Sequence, residues 1–182
     1  LQALSSFFTD ALSTPTITLH HYLEATLTNS NPILHPSRIF GMLSDHVGDL
    51  YDREYLFYEE WDEKSSDVLI QCDTEFQQIV NKLPIHQDEI PCLLDYYEST
   101  DVQSLTQKIR SIQAFKGIKM CMIPQGNGQF AIDYSNRYFT EDIPYGLLII
   151  KSLGLLLEVP TPTIDQVIYW TQEHMGKCYL VE

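Results

Sequence analysis

From Leu147 to Leu157 the chain runs Leu-Leu-Ile-Ile-Lys-Ser-Leu-Gly-Leu-Leu-Leu, apolar almost all the way round a helix. A helix of that kind is stable only where other elements cover it. It is too short for a membrane span, and Lys151 and Ser152 interrupt it. We therefore expect a helix from about Thr140 to Glu158 at the centre of a helical bundle. At 182 residues the chain is one domain, large enough to bury such a centre.

The remaining pattern is mostly helical. Residues 1–13 read as a short helix closed by Ser13-Thr14-Pro15, and Thr16 to Leu27 as a short extended segment. Pro32 or Pro36 suits the first turn of a helix, whose stripe Ile39, Met42, Leu43 and Val47 runs to about Val47. The aromatic and acidic stretch Tyr51 to Trp61 reads as irregular. A long helix from about Asp62 to Leu83 follows, with Val68, Leu69, Cys72, Phe76, Ile79 and Val80 on one face. Asp88 to Tyr97 and Val102 to Phe115 read as shorter helices, the second capped from Thr100-Asp101. Gly117 to Ile132 breaks the pattern and predicts a loop or small hairpin, with Gly126-Asn127-Gly128 as a tight turn rather than a phosphate loop. A last helix is expected from Thr161 to about Met175, stopped by Gly176. The fold class is mainly α, with at most a small hairpin.

Charge narrows the partners. With 11 Lys and Arg against 25 Asp and Glu, the formal charge is −14, which argues against nucleic acid and against an anionic membrane surface. Most of the acidic residues are expected on a solvated surface. An anionic small molecule is not excluded, because one or two placed guanidinium groups set the local potential.

Cys72, Cys92, Cys121 and Cys178 form no C-x-x-C pair, so neither a zinc site nor a dithiol is indicated. Reduced thiols in a cytoplasmic protein are the expectation. His174 and Cys178 lie one helical turn apart, but two ligands without a third make no metal site. The chain opens on Leu1-Gln2-Ala3 without a signal-like segment, which suggests a piece of something longer.

Two stretches carry the chemistry. Asn29-Ser30-Asn31-Pro32-Ile33-Leu34-His35-Pro36 places an imidazole near the mouth of a helix. Arg137-Tyr138-Phe139-Thr140-Glu141-Asp142-Ile143-Pro144-Tyr145-Gly146-Leu147 supplies a guanidinium and a carboxylate five residues apart. An imidazole titrates near neutrality and suits acid/base work, a carboxylate can orient it, and a guanidinium grips an anion. Each residue also has a plainer use. A histidine beside a proline is often structural, Glu141 and Asp142 favour a helix dipole, Arg137 can be a surface cation, and Asn31 can cap a helix. Gly146 weakens a helix unless a neighbour must approach closely.

These two stretches, followed by Val159-Pro160-Thr161-Pro162-Thr163-Ile164-Asp165, resemble the C-terminal helical domain of the opine dehydrogenases, the octopine/nopaline dehydrogenase family. The order and separations match from about Leu23 to the chain end. The resemblance implies a multi-helix bundle similar to the 6-phosphogluconate dehydrogenase C-terminal-like domain. It implies an NAD- or NADP-dependent oxidoreductase that joins an amino acid to a 2-oxo acid and reduces the resulting imine. His35 is then similar to the family's catalytic histidine, and Asp142 and Arg137 to its conserved polar partners, Arg137 as the guanidinium for a substrate carboxylate; by its own chemistry Asn31 can add a neutral hydrogen bond to the substrate. The G-x-G-x-x-G fingerprint is absent from these residues, so an N-terminal Rossmann domain is implied as a partner. Two other readings stay open: the helical domain of another 2-hydroxyacid or sugar-acid dehydrogenase, and a non-catalytic module whose apolar helix makes a homodimer.

Overall fold

The computed structural model describes residues 1–86 and 90–181. Nine α-helices can be followed among them: α1 Gln2–Leu12, α2 Tyr22–Thr26, α3 Asn31–Leu43, α4 Glu63–Val80, α5 Leu93–Tyr96, α6 Val102–Ser111, α7 Arg137–Thr140, α8 Leu148–Leu156 and α9 Pro162–Met175. A single antiparallel hairpin, β1 Met122–Gly126 and β2 Gln129–Ile132, stands beside them. Among the described residues no helix is long and apolar enough to cross a membrane.

Local chemistry sets most of the boundaries. Asp62 caps α4 by accepting the Ser65 N–H at 2.7 Å, and Asp101 caps α6 by accepting that of Ser104 at 2.7 Å. Gly176 ends α9 in the left-handed conformation, with φ of 61°. In the hairpin, Met122 faces Ile132, and a bulge between Pro124 and Gly126 feeds the turn at Asn127 and Gly128, both at positive φ. Tyr51 joins the hairpin edge, exchanging backbone hydrogen bonds with Phe130 at 2.8 and 2.9 Å.

Several elements differ from the sequence expectation. Tyr22–Thr26 is helical rather than extended, because Glu24 and His21 form a reciprocal cap around its start. Helix α3 stops at Leu43, and Val47 is exposed. The expected helix start at Asp88 lies outside the described residues; α5 begins at Leu93. Helix α6 ends at Ser111, and Gln113–Phe115 forms a separate 3-10 turn.

The expected helix from Thr140 is instead three pieces. Helix α7 is capped by Asn136, whose side chain accepts the Tyr138 N–H at 3.1 Å. A π-helical turn at Ile143–Leu147 then leads into α8. Pro144 has no N–H to donate to an i−4 carbonyl, and the chain widens so that Leu147 N–H reaches Asp142 O at 2.8 Å.

Helix α8 is also not the centre of the bundle. Only Ile150, Lys151 and Gly154 of it are buried, while Leu155 and Leu156 are mainly exposed. Apolar composition shows what a helix can bury and leaves open what covers it. The centre belongs to α3 and α4, which pack on each other more extensively than any other helices. Their close crossing depends on Gly41, where a Cβ would stand 2.6 Å from Ser65 Cα. Lys151 lies inside, with Nζ donating to Thr161 at 3.0 Å and paired with Asp165 at 2.7 Å, so it bolts α8 to α9.

The Gly41 crossing has a measurable consequence. Gly41→Ala puts a methyl against backbone that cannot rotate aside, and we expect a loss of about 1–3 kcal/mol in the urea unfolding of this chain. An unchanged midpoint would mean that the two helices can separate without cost.

Candidate active site

His35 sits on the second turn of α3 with its ring buried. Its Nδ1 lies 2.7 Å from Asp142 Oδ2, and its Nε2 lies 2.9 Å from the Tyr58 hydroxyl. A carboxylate can only accept, so Nδ1 carries a hydrogen and donates it to Asp142. In the neutral ring Nε2 is then the acceptor for the Tyr58 O–H; in the imidazolium it donates to the same oxygen. The ring is also held by its faces. Tyr138 lies over it at 4.3 Å between centroids, and Phe57 meets it edge-on at 5.6 Å.

Asp142 reaches this position because of the π turn. The turn swings in beside the first turn of α3, where Gly146 meets Pro32: a Cβ on Gly146 would stand 2.7 Å from Pro32 Cβ. This is the close approach that a glycine in an apolar helix start implies. Glu141, one residue earlier, is exposed.

The ring opens on a cavity of about 550 Å³. Asn31 and Arg137 line it together with His35 and Tyr58, and Lys119, Asp133 and Asn136 add polar groups. The four residues singled out from the sequence therefore gather in one place: His35 and Asp142 in direct contact, Arg137 and Asn31 on the cavity wall. Asn31 is not the cap of α3, since that position is Ser30. Cys121 also lines the cavity, but burial pushes its thiol up to about 12, so it stays protonated and unreactive. A larger open groove of about 820 Å³ between α3, α4 and α9 contains no histidine, and its Lys64 is already paired with Asp45.

Sequence reading missed two residues here. Tyr58 lies in the irregular stretch Tyr51 to Trp61, where nothing in the local pattern fixes which aromatic faces inward. Arg38 is fully buried and holds that stretch in place. Its Nε donates to Phe57 O at 2.9 Å, one terminal nitrogen to Glu60 O at 2.7 Å, and the other to Asp62 and Ser65 at 3.0 and 3.1 Å. A charged residue between Leu34 and Ile39 on a strongly apolar helix was the available signal.

Among the described residues no three His, Cys, Asp or Glu side chains are grouped to hold a metal. His174 donates from Nδ1 to Trp170 O at 2.7 Å, and Cys178 is exposed. The Gly126-Asn127-Gly128 segment is a hairpin turn with open space at both glycines, not a phosphate cradle.

Comparison with known proteins gives the setting. Residues 18–175 match the family model described as NAD/NADP octopine/nopaline dehydrogenase, alpha-helical domain. Octopine dehydrogenase of Mizuhopecten yessoensis is 31% identical over 173 residues, covering 89% of this chain and 43% of that protein. Tauropine dehydrogenase of Arabella iricolor is 31% identical over 172 residues, covering 88% of this chain and 43% of that protein. A solved structure of octopine dehydrogenase with NADH and L-arginine superposes with a TM-score of 0.82 at 29% identity, covering 100% of this chain and 48% of that one. The chain thus spans less than half the length of these two curated relatives.

The Arg38 clamp predicts a pH dependence. Burial pushes the Asp62 carboxyl up, but hydrogen bonds from Ser65 and the Arg38 guanidinium outweigh it and hold the group below its ordinary value. A depressed carboxylate contributes stability above its unfolded value of about 4, and that stability is lost as the pH falls through the folded value. We expect the urea midpoint to drop between pH 6 and pH 3, and Asp62→Asn to flatten that drop while lowering the midpoint at pH 7. A slope unaffected by the substitution would assign the acid sensitivity elsewhere, for instance to Glu60, which Arg53 also holds low.

Proposed function

The chain belongs to the NAD/NADP octopine/nopaline dehydrogenase family, matching its alpha-helical domain, and on that premise we propose that it is the substrate-binding and catalytic domain of an opine-type dehydrogenase. The reaction is the condensation of an amino acid with a 2-oxo acid, followed by reduction of the imine. The observation that carries the reading is the His35–Asp142 pair, 2.7 Å apart, at a cavity that Arg137 also lines. Solved relatives are complexes of octopine dehydrogenase with NADH and L-arginine, NADH and agmatine, or NADH and pyruvate, which supports substrates of this kind.

Condensation requires protons to be moved on and off the carbonyl oxygen of the 2-oxo acid. An imidazole suits that task, since its two protonation states are both accessible near neutral pH. Asp142 fixes the tautomer through Nδ1–H and favours the imidazolium when it forms. Both substrates carry carboxylates, and Arg137 is the guanidinium on the cavity wall able to take one bidentately. Asn31 adds a neutral hydrogen-bonding group at the α3 start.

A nicotinamide supplies the hydride for the reduction. The described residues do not fit its pyrophosphate, because no glycine-rich turn among them joins a buried strand to a helix. We assign that group to a Rossmann domain preceding this one. A cytoplasmic setting, which keeps the four cysteines as thiols, belongs to the same reading.

In the full-length enzyme His35→Ala should lower kcat by roughly 10²–10⁴-fold and leave cofactor affinity nearly unchanged. Arg137→Ala should act largely through KM for a carboxylate-bearing substrate. Steady-state kinetics with each substrate varied separates the two, and wild-type kcat in His35→Ala across pH would make the imidazole structural. The 182-residue chain alone should neither bind NADH or NADPH tightly nor turn over. Reductive condensation by it would refute this division of labour.

A further inference from the structure

Two substrates meet in the cavity beside His35, and each brings an anionic group. Arg137 can grip one of them bidentately, and the other needs a second cation. Among the described residues that line the cavity, the other Lys or Arg is Lys119. Two of the 11 Lys and Arg thus stand on one cavity in a chain with 25 Asp and Glu, so the potential there runs against the overall charge.

Lys119 comes to the cavity from the base of the hairpin, and so does Asp133. Lys119 precedes β1, where its backbone bridges to Leu56 and the Met120 N–H donates to Tyr55 O at 2.8 Å. Asp133 follows β2. The register of Met122 with Ile132 continues one step further, because the Asp133 N–H donates to Cys121 O at 2.8 Å. Asp133 therefore stands across from Cys121, two residues along from Lys119, and all three line the cavity.

The backbone under both charges is tied down, while the charges themselves are held loosely. Lys119 is exposed, and its ammonium pairs with Glu54, which stands outside the cavity lining. An exposed pair of this kind is weak and screened, so an incoming anion can take the place of Glu54. Asp133 Oδ1 accepts the Ser135 N–H at 3.0 Å and the Ser135 hydroxyl at 2.5 Å. A carboxylate has lone pairs for further donors beyond these.

An ammonium and a carboxylate set side by side in this way are the complement of a zwitterion. We propose that the base of the hairpin is the amino-acid subsite, with Lys119 binding the acid group and Asp133 accepting an N–H of the amino group. This rests on the dehydrogenase reading above. Different elements then hold the two substrates: the 2-oxo acid lies with Arg137 of α7 and with His35 and Asn31 of α3, the amino acid with the hairpin. A lysine ammonium is a point charge without the planar fork of a guanidinium, so it takes a carboxylate or a sulfonate. The substrate class is an amino acid or aminosulfonate with a free primary amine.

The test is steady-state kinetics of the full-length enzyme with NADH and pyruvate, offering L-alanine, L-arginine and taurine in turn. For whichever of these the wild type turns over best, Lys119→Gln should raise KM by about tenfold or more. It should leave kcat and the KM for pyruvate within about threefold. Lys119→Arg should restore the KM, since it returns the charge. Asp133→Asn keeps an acceptor for Ser135 and should raise the same KM by about fivefold or more. Glu54→Gln should lower it, by freeing Lys119 of its competitor. An unchanged KM in Lys119→Gln would overturn the subsite, and so would a rise confined to the KM for pyruvate. Impaired kcat in His35→Ala beside wild-type kinetics in Lys119→Gln would sink the subsite alone. A wild-type enzyme that turns over none of the three would sink the dehydrogenase reading and the subsite with it.

Discussion

The guanidinium of Arg38 is buried at the crossing of α3 and α4 and bonded to two carbonyls, a carboxylate and a hydroxyl. Much of the site depends on that arrangement. Arg38 is three residues from His35, so the same face of α3 carries both the imidazole and the anchor for the segment facing it. By gripping Phe57 O and Glu60 O it brackets Tyr58 and sets the hydroxyl against Nε2. Burial lowers the Arg38 pKa from its ordinary value and Asp62 raises it, but a guanidinium stays charged in a protein. Asp62 is partly exposed, so its removal leaves the buried guanidinium without its charge partner at a cost that solvent reduces.

Other buried charges serve as joints between elements. Glu75 on α4 accepts the N–H groups of Thr163 and Ile164 at 2.7 and 3.0 Å, closing the open start of α9. Asp73, two residues earlier on the same helix, accepts the Leu93 N–H at the start of α5 at 2.7 Å. Glu24 takes N–H groups from His20, His21 and His86, joining α2 to the loop after α4. A formal charge of −14 suggests acidic residues spread over a solvated surface. Here a share of them replaces helix caps that the local sequence lacks, from distant positions.

That contrast explains what the sequence disclosed. Caps such as Asp62, Asp101 and Gly176 act within a few residues of their own helix, so the helices they bound were legible at nearly the right places. The mainly α class and the small hairpin followed from periodicity alone. Helix α8 was misjudged as central because its apolar circumference says nothing of which neighbours arrive. In the site, His35, Asp142, Arg137 and Asn31 stood out because two short motifs carry them. Tyr58 and Arg38 did not, since their importance is created by contacts 23 and 19 residues away along the chain.

The coupling of the two motifs, more than a hundred residues apart, is steric before it is electrostatic. Pro32 stiffens the first turn of α3 and Pro144 forces the π turn, so each segment arrives with little freedom. Gly146 then lets the turn close onto Pro32 at a distance that any side chain would forbid. Only with that approach made does the Asp142 carboxylate come within 2.7 Å of His35 Nδ1. The odd combination of a proline and a glycine in one apolar stretch thus has a single explanation. Helical regularity is given up locally, at a cost of about 1 kcal/mol for the glycine, so that a carboxylate can reach an imidazole on another helix.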